Sequence, residues 1–171
     1  MPAILSVRPT GSISTVNFDD GTSIRCTRDF IRRSNISRGQ EIDPVFVDRL
    51  RDSAASDLAR VQAERLNQRG RLSRREIAVR MQQAGIQEPH IGTALTELVE
   101  RGELVDYRVA LASTRRNLSR ELSRNPDLTW SRFRSTHGRR LALRGFGARD
   151  SAQALKQAWT ELTEASLARG R

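Results

Sequence analysis

Arg80-Met81-Gln82-Gln83-Ala84-Gly85-Ile86, followed by Ala94-Leu95, returns sixty residues later as Arg140-Leu141-Ala142-Leu143-Arg144-Gly145-Phe146, followed by Ala154-Leu155. Arg74 has a counterpart in Arg134 at the same interval. Each copy reads as an amphipathic helix, a glycine that stops it, one apolar residue, a short polar link and a second helix carrying Ala-Leu. Helix, glycine, helix is common punctuation, and what marks these two copies as a repeat is that their apolar positions keep register. Repeated helical units bury their apolar faces on one another and expose the rest. Such a surface suits a long partner better than a small substrate.

The rest of the chain after Asp43 continues in the same helical grammar. Asp43-Pro44 supplies an N-cap and a first helical residue. Val45, Val47, Leu50, Ala54, Leu58, Val61, Ala63 and Leu66 then trace an apolar face to about Asn67, with Gly70 ending the segment. Ser73-Arg74-Arg75-Glu76 is a capping box, in which serine and glutamate satisfy each other's orphan amides. It opens a helix with Ile77, Ala78 and Met81 inward, stopping at Gly85. Another runs from about Glu88 to Arg101, with Ile91, Ala94, Leu95, Leu98 and Val99 apolar, and stops at Gly102. Leu104-Val105-Asp106 opens a helix to about Arg124, which Asn125-Pro126-Asp127 breaks. Two more follow, from about Thr129 to Arg144 and from about Arg149 to Ala168.

The first 43 residues have a different period. Ile4-Leu5-Ser6-Val7, Ser12–Phe18 and Thr22–Cys26 are short strand candidates, the last two joined by the hairpin signal Asp19-Asp20-Gly21. Thr27 caps a short helix over Arg28–Arg33, and Arg38-Gly39 turns into one more extended piece ending at Ile42. Three short strands are marginal alone and need a helix to pack on. The expected fold is therefore mainly α: tandem three-helix repeats in an elongated array, preceded by a small β-hairpin-containing segment. The expected divisions are a β-rich appendage over 1–43, a first three-helix repeat over 44–104 and a basic second repeat over 105–171.

Aromatic residues make up only 5% of the 171, so the core should be aliphatic. No apolar run reaches the ~18–20 residues of a membrane span. The start, Met1-Pro2-Ala3-Ile4-Leu5-Ser6-Val7, lacks the pattern of a secretory signal. Cys26 is the single cysteine, reads as a small buried residue and cannot form an internal disulfide, which fits a cytoplasmic location. Catalytic parts are scarce. His90 and His137 have no neighbours at metal-ligand spacing and read as surface residues. No glycine-rich phosphate loop or nucleophile elbow is present. The expectation is a protein that is not an enzyme, with no catalytic residue, metal or cofactor. Trp130 and Trp159 fall on helices and read as core.

The net charge of +10 is concentrated at one end. Residues 106–171 carry fourteen basic and six acidic side chains, against six and five in 1–44 and ten and nine in 45–105. Ten arginines lie between Arg115 and Arg149, with only Glu121 and Asp127 to offset them. That imbalance attracts polyanions, whether nucleic acid or an acidic protein surface. Lys156 is the only lysine; so uniform a preference reads as compositional bias, and the clustering carries the meaning. The candidate contact residues are Arg115, Arg116, Arg120, Arg132, Arg139, Arg140 and Arg144, while Leu118, Leu122, Phe133, Leu141 and Leu143 should face the core.

Laid out this way, the chain resembles the RecX family of regulatory proteins. Leu66-Asn67-Gln68-Arg69-Gly70-Arg71-Leu72-Ser73-Arg74-Arg75-Glu76-Ile77 is similar to the family's leucine-x-x-arginine and serine-arginine-x-glutamate-apolar pattern. Gly85-Ile86, Ile91 and Ala94–Leu98 continue it, and Leu104–Ala110 carries the aspartate that opens the next unit, with Val109 where an aromatic is usual. Arg140–Phe146 looks like the last repeat, and the strand, hairpin and Ile36–Ile42 resemble the appendage of many members. Where the family usually shows three helical repeats, this chain has room for two. The resemblance implies a modulator of the RecA recombinase. It would act as a monomer, probing single-stranded DNA or phosphate as well as protein, and would lie along the RecA–DNA filament to suppress ATP turnover and strand exchange.

The alternative is a winged-helix DNA-binding transcriptional regulator, with Ser73–Gly85 as first helix, Pro89–Gly102 as recognition helix and Glu103-Leu104-Val105 as the start of a wing. A recognition helix needs donors for bases and phosphates. This one has Arg101 alone as a basic residue and carries Glu88, Glu97 and Glu100.

Overall fold

The computed structural model describes residues 1–169, with side chains to 165; Gly170 and Arg171, the end of the expected basic repeat, lie outside the described residues. Three strands, β1 (Ile4–Thr10), β2 (Ile13–Phe18) and β3 (Ser23–Thr27), form an antiparallel sheet in that order. Seven helices follow among the described residues: α1 (Arg28–Arg33), α2 (Pro44–Asn67), α3 (Arg74–Gln83), α4 (Glu88–Glu100), α5 (Asp106–Arg124), α6 (Trp130–Leu143) and α7 (Ala148–Arg169). The fold is mainly α with an N-terminal sheet. It divides into two compact units: residues 1–64 with 81–96, and residues 65–80 with 97–171. No described helix is long and apolar enough to cross a membrane.

In the first unit the period-two alternation of β2 turns Ser14, Val16 and Phe18 inward. Together with Ile24, Cys26, Phe30, Ile36 and Ile42 they form one core with Val47, Leu50 and Ala54 of α2. The helix thus supplies the second layer that three short strands need. Burial also pushes the Cys26 thiol up to about 11, which suits the small apolar role expected of it. The turn at Asp19-Asp20-Gly21 closes with Gly21 at φ 80 and Asp20 Oδ1 accepting from the Thr22 amide at 2.8 Å. The piece ending at Ile42 is less regular than expected. It makes one bridge, Ala3 to Glu41, beside β1 and no strand.

Thr27 caps α1 as expected, its hydroxyl accepting from the Phe30 amide at 3.0 Å. The same hydroxyl donates to Asp57 Oδ2 at 2.5 Å. Asp57 is buried on the Leu50–Ala54 face of α2 and also accepts from Arg33 (2.6 Å) and Arg60 (2.9 Å). Burial acts to raise this carboxyl, but the bonds from Thr27, Arg60 and Arg33 outweigh it and hold it below its ordinary value of 3.8. A depressed carboxyl stabilises the fold above its unfolded pKa, and the contribution disappears as pH falls through the folded one. Asp57→Asn should therefore lower stability at neutral pH by about 1–3 kcal/mol. In urea titrations the gap to wild type should shrink as pH drops below about 4; a pH-independent gap would refute the ionic account.

The second unit has a core of Val109, Ala110, Leu111 and Leu118 from α5, Phe133 and Leu141 from α6, and Ala154, Leu155 and Ala158 from α7. Leu128 and Phe146 close its ends. The two tryptophans, expected in the core, are half-buried and pack against it: Trp130 and Trp159 lie 5.6 Å apart between ring centroids, and Phe133 is 5.6 Å from Trp159. Both copies of the repeated motif end their first helix in the same way. Gly85 (φ 79) and Gly145 (φ 84) take the left-handed conformation. The following residue reaches back five positions, Ile86 to Met81 at 3.1 Å and Phe146 to Leu141 at 3.2 Å. The glycine amides bond three positions back, Gly85 to Gln82 at 2.8 Å and Gly145 to Ala142 at 2.9 Å, which completes in each helix the Schellman geometry that glycine permits.

Several side chains differ from the sequence reading. Leu143 was expected in the core and is 75% exposed. At ~100° per residue it stands about 200° round the helix from buried Leu141. Val45 is 65% exposed for the same reason, about 200° from Val47; Val99 is also exposed. His137, expected at the surface, is only 2% exposed, with its ring 4.5 Å from that of Phe133. His90 is half-buried, its Nδ1 3.1 Å from Ser56 Oγ.

Candidate functional site

The arginines of the second unit sort into two groups. Arg116 and Arg120 lie one turn apart on an exposed stripe of α5, which Arg124 continues. Arg132 and Arg139 share an exposed stripe of α6, because seven residues bring the helix back to within ~20°. None of Arg116, Arg120, Arg132 and Arg139 has an ion-pair partner among the described residues. These four are free to meet an external anion.

The other three are engaged within the unit. Arg115 makes a two-pronged bond to Glu161 of α7, Nε to Oε2 at 2.8 Å and Nη2 to Oε1 at 2.7 Å. Arg115 holds the Glu161 carboxyl below its usual range, helped by Gln157. Arg140 reaches Glu121 Oε1 at 3.4 Å while keeping 59% of its side chain exposed. Arg144 points inward. It donates to both oxygens of Glu76 (2.9 and 3.0 Å), to Ser113 Oγ (3.0 Å) and to the Arg71 carbonyl (2.6 Å), and its guanidinium carbon lies 5.0 Å from the Phe146 ring centroid. With its donors so occupied, Arg144 is a structural residue of the unit.

The capping box explains why Arg144 is held there. The Ser73 amide donates to Glu76 Oε2 at 2.7 Å, and the Glu76 amide donates to Ser73 Oγ at 3.1 Å. The Ser73 hydroxyl itself donates to the Arg144 carbonyl at 2.6 Å. Burial acts to raise the Glu76 carboxyl, but Arg144 and the Ser73 amide bring it below its ordinary value. Asp106, at the start of α5, accepts from the Arg74 amide at 2.8 Å, and burial there wins, raising its carboxyl.

Two hollows are lined within single units. The one in the first unit, about 360 Å³, has Arg25, Asp48, Arg51, Asp52 and His90 on its walls. Arg51 pairs with Asp48 at 2.8 Å, and His90 Nε2 lies 3.7 Å from Asp52. Ser56, His90 and Asp52 thus approach one another, but Asp52 is 77% exposed and beyond hydrogen-bond distance. A catalytic base needs a buried, hydrogen-bonded carboxylate to orient it. The hollow in the second unit, about 270 Å³, lies between α5 and α6 and includes Asn117, His137, Arg140 and Leu143. Asn117 did not stand out in the sequence, and Leu143 read as core rather than as part of a site. The spacing that could have found Leu143 is eleven residues from Arg132, which places it on the same α6 stripe. No group of three or more potential metal ligands occurs among the described residues.

No protein-family model matches this chain, and no curated protein does. Its fold is similar to that in a crystal structure of regulatory protein RecX, with a TM-score of 0.56 over 92% of this chain and 74% of that one. Sequence identity is 14%, so the likeness establishes the fold.

Proposed function

We propose that this chain is a non-enzymatic modulator of the RecA recombinase that binds along the RecA–DNA filament and suppresses ATP turnover and strand exchange. The observation that carries the reading is the pairing of a RecX-like fold with four unpartnered arginines on exposed faces of α5 and α6. In this reading residues 1–43 and 44–104 are scaffold, and residues 105–171 hold the contact surface. The molecule acts in the cytoplasm as a monomer, and needs no metal or cofactor. Arg116, Arg120, Arg132 and Arg139 make the first contacts, with Arg140 beside them and Arg115 reaching the partner at its exposed edge. A winged-helix regulator is not favoured: no strand follows Gly102 among the described residues, since α5 begins at Asp106.

The test is to add the chain to RecA assembled on single-stranded DNA and follow ATP hydrolysis. Turnover should fall in proportion to added protein and reach its floor near stoichiometric amounts. Unchanged turnover at that ratio would sink the proposal.

A further inference from the structure

We infer that the cleft between α5 and α6 docks an acidic protein segment that carries an aliphatic side chain beside its carboxylates. The inference rests on the function proposed above and names the chemistry of the partner. At about 270 Å³ the cleft falls at the small end of ligand pockets, with room for a large side chain. Leu143 stands on its rim, 75% exposed, on the same α6 stripe as Arg132 and Arg139. A leucine so exposed gains nothing from water, and burying it against an aliphatic side chain removes that apolar surface from solvent, which favours association. His137, 2% exposed, contributes to the lining; its Nε2 lies 2.9 Å from Glu121 without the alignment of a hydrogen bond. Buried polar atoms without a partner are uncommon.

Charge selects the rest of the segment. Arg139 and Arg140 lie one turn before the leucine on α6, Arg132 lies about 16 Å back from it along the same stripe, and Arg140 keeps 59% of its side chain exposed while reaching Glu121. Carboxylates complement that row of arginines. Nucleic acid would also answer the charge, but the phosphates that pair with arginine carry no apolar group to offer Leu143. The leucine within the arginine stripe therefore favours protein.

The test uses the full chain and three labelled probes: a helical peptide of glutamates and leucines, the same peptide with serine for leucine, and oligo-dT. The leucine peptide should bind at least tenfold tighter than the serine peptide. Leu143→Ser should abolish that preference while leaving oligo-dT affinity within twofold. Asn117→Trp, which fills the cleft from α5, should do the same, with thermal melts confirming both variants fold. An equal affinity for the two peptides would overturn the inference, as would a Leu143→Ser variant that keeps the preference or loses oligo-dT binding in parallel. RecA turnover separates the two claims. A leucine preference without any effect on turnover leaves the cleft standing and removes the regulatory function. Inhibition of turnover without a leucine preference does the reverse.

Discussion

Gly145→Ala should destabilise the chain by about 3 kcal/mol or more, whereas Gly85→Ala should cost only about 1 kcal/mol. The two glycines end equivalent helices with the same bonds and nearly the same φ, so the backbone penalty for a Cβ is shared. Their surroundings differ. A Cβ on Gly85 would meet nothing closer than Arg25 Nη1 at 3.9 Å. One on Gly145 would fall 2.6 Å from Arg75 Cβ and 3.0 Å from its Cγ. The base of a side chain in the first turn of α3 cannot swing away as a guanidinium tip can. Relief would require moving helix backbone that Ser73, Glu76 and Arg144 tie down. Urea denaturation of the two variants measures the difference, and equal losses would show that Arg75 yields freely.

Replacing Arg116, Arg120, Arg132 and Arg139 together with glutamine should weaken binding to RecA filaments by on the order of 100-fold, at ~0.5–1 kcal/mol per exposed charge contact. The salt dependence of binding should flatten as well, because fewer counterions are exchanged. Thermal stability should barely move, since exposed side chains without partners contribute within about ±0.5 kcal/mol each. Arg144→Gln is the contrasting control. It should lower the melting temperature by stripping Glu76 of its cation, while the folded fraction retains full affinity. Equilibrium binding at two salt concentrations, beside a melt of each variant, reads all of this. If the quadruple variant bound as tightly as wild type, the basic stripes would not be the contact surface.

The helix boundaries were readable because local chemistry sets them. The Asp43-Pro44 start, the Ser73–Glu76 box, Thr129, and the stops at Gly85 and Gly145 are each decided within a few residues. The helical stripes were also legible, since they follow from a fixed turn. What could not be read locally was the side of a helix that meets its neighbour. Leu143 looked like core because leucine usually is, and Arg144 looked like surface because arginine usually is. Their places are exchanged by the rotation of α6 against α5, a tertiary choice. The same holds for His137, which joins the aromatic core because Phe133 one turn earlier is buried. The arginines of the candidate site were recognisable as a cluster, but their division into paired and unpaired ones depends on Glu76, Glu121 and Glu161. All three lie on other helices than the arginines they bind, 46, 19 and 68 residues away in sequence for Arg115, Arg140 and Arg144.

The Ser73 hydroxyl belongs to two helices at once. It accepts from the Glu76 amide in the first turn of α3 and donates to the Arg144 carbonyl that caps α6, joining positions 71 residues apart. Fraying of either helix end therefore removes a hydrogen-bonding partner from the other. The two termini should open together, with amides of the α3 start and the α6 stop showing matched hydrogen-exchange protection.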